Sequence, residues 1–196
     1  RAAPLIFWAW AREITRGIFG DEMGAGLYDH AISGRTFRDA LEGVLQRNDA
    51  WWCDDKTTPQ VAETCEGQND AALTRALDAL QKAYGSDVSA WRWGDAHQAR
   101  SEHRPFSHVK ALAGLFELRT PVGGDTFSIN VARVLYKPDA QTGELFLAEH
   151  GPSLRAIYDL GDGTKSLFMH SSGQSGLPWS PLYRSFVQRW AKVEYV

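Results

Sequence analysis

SSGQSGLPWSPLY, residues 171–183, decides how the second half of the chain reads. Gly173, Gln174, Ser175 and Gly176 place a serine between glycines, the look of a nucleophile on a sharp turn. The nucleophile elbow requires G-x-S-x-G between a strand and a helix. Leu177 stands where the last glycine belongs, and Pro178 delays any helix to about Ser180. Ser175 therefore reads as a turn residue, with a serine hydrolase built on it as the competing view. On its C-terminal side, Ser180 reads as a helix cap and Pro181 as the first helical position. Leu182, Phe186, Val187 and Trp190 would form the buried face.

Working back from this stretch, the period is close to two. FELRTP, TFSINVARVLY, SLRAIYDLG and KSLFMHS read as strands, separated by the turns VGGD, KPDAQTGE and GDGT. The segment 91–106, rich in Trp and His, is irregular. Earlier still, the pattern is helical. Pro4, Leu5, Ile6, Trp8, Ile14, Ile18 and Phe19 predict a helix of about four turns, ended by Gly20, Gly24 and Gly26. Its apolar start predicts exposed area around Leu5, Ile6, Phe7 and Trp8 that another protein segment would cover, or through which the chain would dimerise. Thr36 and Asp39 resemble a capping box before a second helix with Phe37, Ala40, Leu41, Val44 and Leu45. Asn69 or Asp70 would cap a third, with Leu73, Leu77, Leu80 and Tyr84 on one face and Gly85 as its stop. The class is α+β: helices over 1–88, then an antiparallel meander and one terminal helix over 89–196, with no linker that argues for independent domains.

The 196 residues are 43% hydrophobic and 23% charged, a foldable composition, and the net charge of −3 gives no case for nucleic acid or anionic membrane. No apolar run approaches the roughly 20 residues of a membrane span. Cys53 and Cys65 bracket a polar, proline-containing segment, WCDDKTTPQVAETC, and their spacing fits neither C-x-x-C nor a zinc knuckle. A loop-stapling disulfide is the reading, and with it a periplasmic or secreted location. The chain opens RAAPLIFWAW and closes AKVEYV, both reading as cuts in a longer precursor.

Other candidates have ordinary readings. His97, His103 and His108, with Asp95 and Glu102 nearby, could ligate a metal, but spacings of six and five put no pair on one helix face. Asp125 and Asp162 read as turn residues, and no EF-hand spacing is present. Arg155, Ile157 and Asp159 share one strand face. Arg155 and Asp159 could form a surface ion pair, or Asp159 could orient a histidine as the third member of a triad does.

Taken in order, WRWGDAH, HRPF, GGDTFSIN, GPSLRAIYDLGD and SGQSGLPWSPLY, closing with W-A-K-x-E-Y, resemble the C-terminal end of the β chain of penicillin amidases (penicillin acylases). Cephalosporin and acyl-homoserine-lactone acylases are relatives of that family. The resemblance is clear over 91–196 and weaker over 1–90, through AAPLIFWAWARE and the WCDD…TC loop. It implies an N-terminal-nucleophile hydrolase with a four-layer αββα fold, made as a periplasmic precursor and cleaved into α and β chains. Its nucleophile would be the first serine of the β chain, outside this segment, together with the oxyanion asparagine and the calcium ligands of the complete enzyme. The segment itself would hold no cofactor and lack activity alone. Its partners would be the remaining β chain, the α chain and a small amide substrate. By motif order Asp159 is the candidate to pair with a histidine behind the nucleophile. The alternative from another class is a stand-alone extracytoplasmic binding module whose tryptophans take up a ligand.

Overall fold

The computed structural model describes residues 1–32 and 37–196. The chain divides into two compact units, Arg1–Trp93 and Gly94–Val196. In the first, α1 (Ala2–Ala31) buries Leu5, Trp8, Ile14, Ile18 and Phe19 along one side, the three-and-four spacing of a helix face. It runs past Gly20 and breaks only at Gly24, whose φ of 68° and ψ of 159° lie outside helical space. A glycine keeps the helix at a cost of about 1 kcal/mol, so Gly20 weakens α1 without ending it. α2 (Phe37–Arg47) follows as expected; Thr36, half of the expected capping box, lies outside the described residues. The short α3 (Ala50–Cys53) leads into the loop before α4 (Cys65–Tyr84).

α4 begins five residues earlier than Asn69 and Asp70 suggest. The Thr64 hydroxyl accepts the Gly67 N–H at 3.0 Å, and Asn69 instead accepts Trp10 Nε1–H at 3.0 Å. Its buried face is Cys65, Gln68, Ala72, Ala76 and Leu80, while Leu73 is exposed. Small residues at the crossing let α1 approach closely, and packing thereby overrides side-chain size as a guide to burial. Arg75 reaches from α4 to α1, where its guanidinium bonds the Glu13 carbonyl at 3.3 Å and lies 3.6 Å from the Glu13 carboxylate. Arg12 also pairs with that buried carboxylate, as a buried charge requires. Gly85 stops α4. The expected apolar exposure at the chain start is corrected: Leu5 and Trp8 are buried, Trp8 stacking on Trp93 at 6.5 Å, and only Phe7 is substantially exposed.

The second unit opens with the end of α5 (Trp93–Ala96) and β1 (Gln98–Ser101), a strand in the segment expected to be irregular. α6 (Lys110–Phe116) and β2 (Leu118–Pro121) follow, then β3 (Arg133–Val134) and β4 (Ala148–His150). The expected antiparallel meander is corrected. The first sheet has the order β2-β1-β4-β3, with β1 and β4 parallel at Ala99 and Ala148. β5 (Leu154–Ile157) and β6 (Leu167–His170) form a separate antiparallel pair. TFSINVARVLY shrinks to the two residues of β3 because Asp125 closes a loop before it. Asp125 Oδ1 accepts the N–H groups of Phe127 and Ser128, and its carbonyl accepts that of Ala132. The final helix, α7 (Val187–Ala191), starts later than Ser180–Pro181 predicts. Phe186, Val187 and Trp190 are buried as expected, whereas Leu182 is half exposed. The α+β class stands. No helix among the described residues is long and apolar enough to cross a membrane.

Cys53 and Cys65 are bonded, 12 residues apart, and both are buried. Closing a loop of this length removes about 3 kcal/mol of chain entropy from the unfolded state. The double substitution Cys53→Ala, Cys65→Ala is expected to lower unfolding free energy by about that amount in urea titration, with the same loss on reducing the wild-type chain.

Candidate functional site

The SSGQSG stretch forms a turn folded back on the segment before α7. Leu182 O accepts the Gln174 N–H at 2.8 Å and the Ser175 N–H at 3.3 Å, and Ser172 O accepts the Phe186 N–H at 3.0 Å. Gly173 lies against this segment so closely that a Cβ there would sit 2.1 Å from Leu182 O and 2.3 Å from Tyr183 O. Tyr183 O–H donates to the Phe116 carbonyl at 2.5 Å. Between these turns and residues 101–104 lies an open groove of about 480 Å³, whose lining includes Glu102, His103, Ser172 and Ser175.

The groove brings two sequence candidates, Ser175 and His103, into one place without coupling them. Ser175 Oγ accepts the Leu177 N–H at 3.1 Å, a local turn bond. His103 stacks on Phe106, with ring centroids 5.2 Å apart and planes 16° from parallel, and packs against Phe116 and Tyr183. Glu102 pairs with Arg100 at 3.2 Å. A serine nucleophile needs a base within hydrogen-bond reach, and no hydrogen bond joins these two side chains.

The remaining histidines do not gather around a metal. His97 is fully buried, and its Nδ1–H donates to Phe146 O at 2.6 Å, since a carbonyl can only accept. Burial pushes its pKa down, against the opposing effect of backbone hydrogen bonds to Phe146 and Ala132. His108 and Asp95 are exposed. Among the described residues, no three His, Cys, Asp or Glu side chains group as a metal ion would require.

Asp159 lies two residues beyond Ile157, the end of β5, and is exposed at the start of the β5–β6 turn. Its Oδ1 accepts the N–H groups of Gly161 and Asp162, each at 2.9 Å, and its own N–H donates to Ser166 Oγ at 3.1 Å. Asp162 caps the next turn by accepting from Thr164. The expected Arg155–Asp159 ion pair is corrected. Arg155 turns the other way, over the Trp190 ring at 4.9 Å, donating to Trp190 O at 2.7 Å and Asn130 Oδ1 at 2.6 Å. The stacking surface and the two acceptors hold it more firmly than a solvated carboxylate would. Sequence reasoning missed this link because Asn130 and Trp190 lie 25 and 35 residues away.

The family model for penicillin amidase matches residues 1–196 of this chain. Among curated proteins, the acyl-homoserine lactone acylase QuiP of Pseudomonas aeruginosa is 28% identical over 97% of this chain and 24% of its own length. QuiP of Pseudomonas syringae pv. syringae is 30% identical over 99% of this chain and 23% of its own length. QuiP of Pseudomonas putida is 29% identical over the whole chain and 24% of its own length. The chain thus spans about a quarter of the curated relatives it matches.

Two substitutions test the local physics. Gly173→Ala drives a Cβ into two backbone oxygens, and equilibrium denaturation should record a loss of about 2–3 kcal/mol. For His97, the folded-state pKa is depressed, so the unfolded chain binds a proton that the folded chain refuses. Stability is complete above the unfolded pKa of about 6.5 and falls as pH drops through it, by at most about 1.4 kcal/mol per pH unit. Thermal melts from pH 7.5 to 5 should show this fall, with a shallower slope in a folded His97→Gln variant.

Proposed function

The chain belongs to the penicillin amidase family, and from that premise we propose that it is the C-terminal part of the β chain of an amidohydrolase. The complete enzyme would cleave the amide of an N-acyl substrate, with acyl-homoserine lactones the first class to test. The observation carrying this is the family match along the whole chain together with acylase relatives. The nucleophile would be an N-terminal serine in the part of the polypeptide outside these residues. Its α-amine takes the Oγ proton, and Oγ attacks the amide carbonyl. The α-ammonium passes the proton to the substrate nitrogen as the C–N bond breaks and the amine departs. Water then hydrolyses the acyl-enzyme ester to free acid and serine. Hydrogen-bond donors aimed at the carbonyl oxygen stabilise the charge that develops there. The Cys53–Cys65 bond supports a periplasmic or secreted location. The calcium implied by the family resemblance finds no cluster of three candidate ligands among the described residues.

This chain's part is mainly architectural, with one proposed positioning residue. Both turn N–H groups bond Oδ1 of Asp159, and no hydrogen bond occupies Oδ2 among the described residues. That oxygen is suited to accept from a histidine supplied by the rest of the enzyme and hold its ring, as the acid of a triad does.

In the complete enzyme, Asp159→Asn should lower kcat by roughly tenfold or more with KM nearly unchanged, and Asp159→Glu should restore part of it. Unchanged turnover in the Asn variant removes the positioning role. For the function itself, the complete protein should release homoserine lactone from an N-acyl-homoserine lactone, while the 196-residue chain neither does so nor labels with a fluorophosphonate. Labelling of Ser175 in the isolated chain would overturn the assignment in favour of a local serine nucleophile.

A further inference from the structure

The two edges of the β5–β6 pair are treated differently. On the β6 side, Phe168 exchanges both backbone hydrogen bonds with Val196, at 2.9 and 3.0 Å. Phe168 therefore directs its N–H and C=O away from β5. In an antiparallel ladder, directly opposed residues point their backbone groups the same way, both towards or both away from each other. Ala156, paired with Phe168, must also point outward, and so must Leu154 two residues before it. Arg155 and Ile157 then carry the bonds to Met169 and Leu167. Among the described residues no further strand lies beyond β5 in this sheet.

An open edge of this kind is normally blunted by a lysine, a proline, a bulge or a covering loop. β5 reads Leu-Arg-Ala-Ile and has no bulge in its register. Its one charge, Arg155, is folded back over Trp190. Around it the surface is apolar: Leu154 is 58% exposed, Ile157 50%, Tyr158 74% and Leu160 98%. A soluble surface seldom gathers apolar side chains beside unpaired backbone unless something covers them.

We propose that the outer edge of β5 is a strand-addition site, filled by an extended segment of the same polypeptide lying outside these residues. The inference rests on the reading of this chain as part of a longer acylase, and it specifies where that longer chain docks. Relatives carry about three-quarters of their length beyond the matched region, since this chain covers 24% and 23% of the first two. The added strand would take the outward N–H and C=O groups of Leu154 and Ala156. Main-chain bonds would give the affinity, and apolar residues at alternate positions would cover Leu154 and its neighbours.

Residue-resolved hydrogen–deuterium exchange on the complete, active protein tests this. Arg155 and Ile157, bonded to β6, serve as the internal standard. Amides of Leu154 and Ala156 should be protected to the same order as theirs, roughly a hundredfold or more over an exposed amide, at high and low protein concentration alike. Exchange of Leu154 and Ala156 at the exposed rate in an enzyme that hydrolyses its amide would overturn the edge pairing and leave the functional reading intact. Protection that disappears on dilution would assign the edge to a second copy and equally overturn it. Protection in a complete protein that hydrolyses no amide would uphold the docking site while sinking the proposed activity.

Discussion

The carbonyl oxygen of Leu182 accepts the N–H groups of Gln174 and Ser175, where a helix beginning at Ser180 would give it to Phe186. The Phe186 N–H is drawn to Ser172 instead. This exchange of one intrahelical bond for tertiary ones shapes the end of the second unit. It delays α7 to Val187 and holds the SSGQSG turn against the 182–183 backbone. It also requires glycine at 173, because no Cβ fits between the two carbonyls. Trp190, placed on α7 as a result, donates its indole N–H to Pro152 O and offers its face to Arg155. The orientation of β5, and with it that of Asp159, follows from that anchor.

Legibility in the sequence tracked the range of the forces involved. The apolar spacing of α1 and α2 is a local signal and carried through, as did the strands at 118–121, 154–157 and 167–170. At Leu182 a boundary shifts because partners in an earlier turn take over its carbonyl. The start of α4 shifts for a different reason: Thr64 caps locally, accepting the Gly67 N–H, and the disulfide to Cys53 ties the first turn in place. β1 was missed because QARS has no period-two pattern of its own; its identity as a strand comes from pairing with β2 and β4. TFSIN failed in the opposite sense, since its alternation is strand-like but Asp125 captures its amides in a loop.

The family could be read because its signature is distributed: several short motifs in fixed order survive even where each alone is weak. Individual roles could not be read the same way. A carboxylate's task depends on what stands within a few ångströms of each oxygen. For Asp159 one oxygen is committed to its own turn. Arg155, two strand positions before Ile157, reads as an ion-pair donor on the page of the sequence and turns out to be a strut between α7 and the 123–131 loop.

The covalent tie between Cys53 and Cys65 has a consequence for how this chain survives damage. The segment it closes is mostly exposed and polar, the kind of surface loop that proteases cut first. A single nick between the two cysteines would sever the backbone yet leave α3 and α4 covalently joined and docked on α1. The molecule would keep its fold and gain only the mass of the one water consumed, and the two pieces would part only when reductant and denaturant were applied together.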